Sequence, residues 1–266
     1  MSAATTAGPR VSLIVIATGR YLSFLEPLLV SARRHVVGLD RVFVLSDLRP
    51  PDDPTVQWLP WGHLPWPYPT LLRYRAISAY RRVLEQTDVL LYVDVDMLFV
   101  GTFDVSATAG LVAVRHPGFA ESSRAQLPYE TDVRSRAFVP PELGTVYVAG
   151  GVQGGRAGDY LDACELMAEE VQLDLDGGIV PTWHDESVWN AFCARRPPDT
   201  LLSVHHCTPE KEVGPETLLV ALDKDHDHFR EVPHLERARR RLLQQLQRVR
   251  AAVVRAVRPA VRVVRR

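Results

Sequence analysis

Three short apolar runs, Val11–Ala17, Arg41–Leu45 and Val89–Val93, are rich in β-branched residues and lack polar alternation. A strand that is apolar on both faces needs cover on both faces, which is the pattern of a parallel sheet in an α/β fold. The intervening segments supply that cover. Leu22–Val37 carries Leu25, Leu28, Leu29 and Ala32 at helical spacing, and Thr70–Glu85 reads as a second helix. This alternation predicts a Rossmann-like, mostly parallel sheet with flanking helices. Residues 48–69 hold seven Pro with Trp58, Trp61 and Trp66, and are expected to form an irregular aromatic loop. Further on, Leu111–Arg115 and Val146–Gln153 are expected strands, with helices over about 157–172 and Trp183–Ala194 and a turn at Asp174–Pro181. Leu218–Leu222 is a late strand.

Composition excludes several alternatives. With 46% hydrophobic and 24% charged residues, the chain is neither collagenous, disordered nor a disulfide-stapled miniprotein. A net charge of −1 gives no reason to expect nucleic acid. Cys164, Cys193 and Cys207 are scattered and read as packing residues in a reducing compartment. That cysteine usage suits a cytoplasmic location, and no segment reaches the roughly 20 apolar residues of a membrane-spanning helix.

In doubly wound sheets, ligands gather at the carboxyl ends of strands. Three such ends stand out: Thr18-Gly19-Arg20-Tyr21, Ser46-Asp47 and Asp94-Val95-Asp96. Carboxylates at i and i+2 can share one hard cation that also holds a diphosphate. The chain has four Asp-x-Asp matches, and only 94/96 ends an apolar run and precedes a second one, Met97–Val100. Strand-end turn carboxylates remain the plainer alternative. Trp183-His184-Asp185-Glu186-Ser187 opens a helix, where acids are also favoured by the macrodipole. Tyr147–Gly155 holds four glycines within six residues, which weakens a strand unless backbone or ligand must come close. His205-His206-Cys207 and His226-Asp227-His228 fit no standard zinc spacing.

In their order along the chain, these segments resemble glycosyltransferase family 6, which includes the histo-blood-group A and B transferases, α-1,3-galactosyltransferase and shorter bacterial relatives. The resemblance runs from about Val11 to Arg230. It rests on Ala17–Leu25, Thr70-Leu71-Leu72-Arg73-Tyr74, Asp94-Val95-Asp96-Met97, His116-Pro117-Gly118-Phe119, Ser122-Ser123-Arg124 and Pro128-Tyr129-Glu130. Tyr147–Gly155, Trp183–Ser187 and Lys224-Asp225-His226 complete it.

It implies a GT-A fold. It also implies retaining transfer of galactose or N-acetylgalactosamine from the UDP-sugar, in α-1,3 linkage, to a β-galactoside of an oligosaccharide or glycolipid. The implied catalytic domain spans 1–233, its N-terminal half binding the nucleotide and its C-terminal half the acceptor. By the same resemblance, Asp94 and Asp96, flanking Val95, would hold Mn²⁺, with Mg²⁺ an alternative. Ile16, Ala17, Thr18 and Tyr21 would line the uridine pocket, and Arg73 would reach the donor sugar. Ala149, Gly150 and Gly151 fall at the donor-selecting stretch, where enlarging Gly151 is expected to favour galactose. His116 and Trp183 would contact acceptor, Asp185 would hold sugar hydroxyls, Glu186 would act as nucleophile or ion-pair stabiliser beside the acceptor, and Lys224 would close over the diphosphate.

The chain departs from the family in places. Many bacterial relatives carry Asn at both metal positions, whereas Asp94 and Asp96 stand here. The acceptor-side Ser-Pro-Glu-Tyr-x-Trp-Asp segment becomes Ser203–Pro209, which displaces its carboxylate, with Glu210 as the candidate replacement, and a threonine near the acceptor becomes Pro128. The N-terminal anchor and stem of vertebrate members are not expected. A different GT-A enzyme, a nucleotidyltransferase or a non-catalytic glycan-binding module are the alternatives. Residues 234–266 hold eleven Arg and one Glu on an expected amphipathic helix, which suits either docking on the domain or peripheral contact with anionic lipid at the inner membrane face.

Overall fold

The strands predicted from two-faced burial pair as expected. In the computed structural model, which describes residues 8–230, β1 (Val11–Ile16) lies parallel to β2 (Leu39–Ser46), and β2 lies parallel to β3 (Val56–Pro60). On its other side β1 pairs in parallel with β4 (Val89–Val93). β5 (Met97–Phe99) leaves this sheet, and β6 (Leu111–Arg115) and β7 (Val148–Arg156) rejoin it. β7 runs antiparallel to both β4 and β6, and β6 is parallel to β8 (Thr200–Leu202). The order is β3-β2-β1-β4-β7-β6-β8, with only β7 reversed. A small second sheet joins β5 to β10 (Leu219–Ala221) and β10 to β9 (Thr208–Pro209).

The two faces of the large sheet explain the apolar runs. Ile14, Phe43, Leu45, Leu90 and Tyr92 enter one cluster, and Leu13, Val15, Val42, Val44, Leu91 and Val93 enter the other. Each such aliphatic side chain contributes about 1.5–3 kcal/mol on burial. The second face is covered by α1 (Leu25–His35) through Leu25, Leu28, Leu29 and Ala32. The first is covered by α3 (Arg73–Ser78), α5 (Ala157–Asp176) and α6 (Asp185–Arg195), with α2 (Tyr68–Leu71) and α4 (Arg81–Leu84) flanking α3.

Several boundaries differ from those expected. The first helix begins as a 3₁₀ turn at Gly19–Phe24, and α-helix proper starts at Leu25, where Pro27 sits in the first turn and needs no N–H partner. The expected helix over Thr70–Glu85 is broken at Leu72 and Tyr80, whose ψ angles of 14° and 18° leave the helical region. The aromatic loop contains the edge strand β3, whose Pro60 is tolerated there because one side has no partner. α5 runs on to Asp176 before Gly177-Gly178 ends it.

The four glycines of β7 serve two purposes. A Cβ on Gly154 would lie 2.2 Å from the Leu90 carbonyl oxygen, and one on Gly155 would lie 2.3 Å from that of Gly110. These two permit backbone-to-backbone contact inside the sheet. Gly150 and Gly151 instead face acidic side chains.

The boundary between two compact units falls at Asp223/Lys224. Lys224 opens the second unit. There α7 (His226–Phe229) is capped by Asp225, whose carboxylate accepts from the N–H groups of Asp227 and His228. The expected basic helix over 234–266 lies outside the described residues.

Candidate active site

Because β7 is reversed, its first residues lie at the carboxyl end of β4. The Asp94 N–H donates to the Gly151 carbonyl at 2.9 Å, continuing the ladder past Val93 and Val152. Sheet topology thereby brings Asp94 to Gly150-Gly151, over fifty residues away in sequence.

Arg73, 2% exposed, organises the cluster. Its Nη2 donates to Asp94 Oδ1 at 2.9 Å, and its Nη1 lies 2.9 Å from Asp185 Oδ2 and also donates to the Gly150 carbonyl. The guanidinium stacks 4.1 Å from the centre of the Tyr92 ring, whose hydroxyl donates to Asp94 Oδ1 at 2.6 Å. Burial disfavours the charge on Arg73, but Asp185, Tyr92 and Asp94 outweigh it and hold the guanidinium firmly protonated. Burial pushes the Asp185 carboxyl up despite the guanidinium beside it.

Glu186 occupies the first turn of α6, and its Oε2 accepts from the Gly150 N–H at 2.8 Å. Burial raises its carboxyl to about 7, the Gly150 N–H opposing this and the Asp185 charge adding to it. The buried Tyr147 hydroxyl influences Glu186 but lies outside hydrogen-bonding geometry. Asn190 fixes the helix against β7: its amide bonds both the N–H and carbonyl of Val148 and the carbonyl of Glu186, at 2.8–2.9 Å.

The turn into α6 is strained. His184 has φ 52° and ψ −122°, the first central position of a type II′ turn, where glycine is the usual occupant. Such a conformation costs roughly 1–3 kcal/mol and persists where the surroundings hold it. The His184 ring meets Trp66 edge-on at 5.1 Å, and Trp183 is 51% exposed.

At the end of β1, Ile16 and Tyr21 are half-buried, while Ala17 and Thr18 are buried. Thr18 Oγ1 lies 3.1 Å from His63 Nδ1, and the Gly19 N–H donates to Asp47 at 2.9 Å. Val95 and Asp96 are buried on the turn between β4 and β5. His116 accepts from the Gly118 N–H through Nδ1 and packs against Phe119 and Tyr147. Burial lowers its pKa to about 4, so the ring is neutral near pH 7.

Residues 5–231 match the family model described as glycosyltransferase family 6. The chain belongs to glycosyltransferase family 6. It is 29% identical over 240 residues to rat histo-blood group ABO system transferase 1, covering 83% of this chain and 68% of that protein. Chicken globoside alpha-1,3-N-acetylgalactosaminyltransferase 1 is 27% identical over 236 residues, 84% and 68% of the two chains. Human alpha-1,3-galactosyltransferase 2 is 29% identical over 219 residues, 77% and 64% of the two chains. The protein is therefore a glycosyltransferase with a GT-A type fold.

This cluster of acids around one buried guanidinium is the candidate active site. Arg73 joins Asp94, Asp185 and Gly150, Gly150 in turn holds Glu186, and Gly151 lies beside Asp94. Lys224 lies in the second unit. Among the described residues, no group of three or more His, Cys, Asp and Glu is placed to hold a metal ion. Glu210, the candidate acceptor carboxylate, accepts from the Asp223 N–H at 2.8 Å. Sequence reasoning missed Tyr92, Gln153 and Asn190. Gln153, fully buried, donates to the Gly150 carbonyl at 2.8 Å. A polar residue inside an apolar strand was the available signal for Tyr92 and Gln153.

Gly151 is constrained by the side chains packed against it. An added Cβ would lie 2.6 Å from Met97 Cε and 2.8 Å from Asp94 Oδ2. Met97 can yield, but Asp94 is held by Arg73 and Tyr92. Gly151→Ala is expected to displace Asp94 and lower turnover at least tenfold with every donor. A clean switch of donor at undiminished rate would show that the added methyl faces only the sugar.

Proposed function

We propose that the protein is a retaining transferase that moves N-acetylgalactosamine, or galactose as the close alternative, from the UDP-sugar in α-1,3 linkage to a β-galactoside-type glycan. The observation that carries the reading is Glu186, half-buried at the head of α6 and bonded to the N–H of Gly150, whose carbonyl Arg73 holds. The small residues Ala149, Gly150 and Gly151 on the adjacent strand favour the bulkier acetamido sugar. The name of the chicken relative, an alpha-1,3-N-acetylgalactosaminyltransferase, supports the same chemistry.

Asp94 and Asp96 fit a hard divalent cation. Both are carboxylates on one turn, Asp94 Oδ1 is engaged by Arg73 and Tyr92, and the missing side chain of Gly151 leaves room beside Oδ2. They would hold Mn²⁺ or Mg²⁺, which when bound supplies neutralising charge to the departing diphosphate.

The remaining work falls to the chain's own residues. Thr18 and Tyr21 line the nucleotide side. Arg73 keeps Asp185 and Asp94 apart and oriented, so that Asp185 can accept from sugar hydroxyls. Ionised Glu186 faces the cationic sugar carbon that develops as UDP leaves, stabilising or trapping it. Neutral His116 and exposed Trp183 receive the acceptor, Trp183 offering a face on which a sugar ring can stack.

Chelation tests the metal assignment. EDTA is expected to abolish transfer, Mn²⁺ to restore it, and Asp96→Asn to lower it at least a hundredfold. Full activity in EDTA would refute the metal role. NMR of the product should show an α-linked sugar, and a β-linked product would refute retention.

A further inference from the structure

The strained turn that presents Trp183 is anchored from outside its own helix. On the helix side, the Trp183 N–H donates to Ser187 Oγ at 3.0 Å and the Glu186 N–H to the Trp183 carbonyl at 3.0 Å. The other anchor is Glu130, 5% exposed and remote in sequence. Its Oε1 accepts from the N–H groups of Thr131 and Asp132 at 2.8 and 2.9 Å. Its Oε2 accepts from the N–H and hydroxyl of Thr182 at 2.7 and 2.9 Å. Burial opposes its charge, but these donors outweigh burial and hold the carboxyl below its ordinary range.

The loop carrying Glu130 is itself fixed. Ser135 Oγ and the Arg136 N–H donate to Asp174 at 2.6 and 2.7 Å, and the Tyr129 hydroxyl donates to the Val146 carbonyl at 2.7 Å. Trp183, by contrast, is half exposed. A side chain this exposed takes its direction from the backbone between Thr182 and His184. Asp185 and Glu186 have independent anchors in Arg73, Gly150 and Asn190.

We propose that Glu130 is a positioning residue that sets Trp183 for the acceptor and leaves the donor side untouched, an inference that rests on the acceptor role given to Trp183 above. Glu130→Gln keeps the size but places an amide N–H₂ where one pair of donors needs an acceptor. In the full chain, its KM for N-acetyllactosamine should rise at least tenfold. Hydrolysis of UDP-N-acetylgalactosamine without acceptor should stay within twofold of the parent. Thr182→Val, which removes one bond and no charge, should shift the acceptor KM in the same direction by a smaller factor, and Thr182→Ser should match the parent. Acrylamide quenching of Trp183, read as the difference against Trp183→Phe in each background, should change in Glu130→Gln. Equal loss of hydrolysis and transfer, or unchanged acceptor KM and quenching, would overturn the proposal. A parent inactive on every UDP-sugar would overturn the functional reading alone, and the quenching difference would still decide the positioning role.

Discussion

Glu186→Gln should lower sugar transfer about a thousandfold, roughly 4 kcal/mol of transition-state stabilisation, while UDP affinity changes little. The amide can still accept from the Gly150 N–H, so the bond that locates the side chain survives. What disappears is the negative charge facing the developing cation. The stability effect has a definite sign. Burial raises the Glu186 carboxyl from its ordinary value to about 7, so the folded state holds its proton more tightly than the unfolded chain. The resulting stabilisation is fully present below the unfolded pKa and is lost as pH rises through about 7. The neutral amide escapes that loss, so Glu186→Gln should gain stability over the parent from about pH 5 to 8. In the free parent enzyme, kcat/KM should rise with pH through the same ionisation. Retained transfer in Glu186→Gln would leave only a helix-dipole role for this carboxylate.

Arg73→Met should combine loss of function with a large loss of stability. The guanidinium reaches two carboxylates and a carbonyl while 2% exposed, and removing it leaves Asp94 and Asp185 facing each other with no cation between. Breaking a buried ion pair in this way costs about 3–5 kcal/mol, which for a chain of this size lowers Tm by roughly 10 °C. Arg73→Lys should not restore activity, because one ammonium cannot reproduce a fork that spans two acids. The deficit should shrink as pH falls, since protonation relieves the unpaired carboxylates. An unchanged Tm in Arg73→Met would contradict the view that this residue holds the cluster together.

The parallel strands β1, β2 and β4 were legible because burial on both faces leaves an unbroken apolar run. β3 and β8 were not. Val56–Pro60 lies at an edge within a proline-rich segment, and Thr200–Leu202 is three residues long, so neither carries enough pattern. The break of Thr70–Glu85 into short helices was also hidden, because helical spacing persists locally across Leu72 and Tyr80. The chemistry-bearing segments stood out in sequence, but the bonds among them did not. Arg73, Asp94, Gly150 and Asp185 are far apart along the chain; β7, reversed beside β4, brings Gly150-Gly151 to Asp94, and Arg73 joins these to Asp185. Nothing in local spacing links Glu130 to Thr182, 52 residues on.

The most direct test of the account is UDP release from a panel of UDP-sugars with Mn²⁺, measured with and without N-acetyllactosamine. The account predicts release from UDP-N-acetylgalactosamine, with UDP-galactose next, accelerated by the acceptor and lost in Glu186→Gln. A parent chain that releases no UDP from either donor, or releases it equally well after Glu186→Gln, would contradict it.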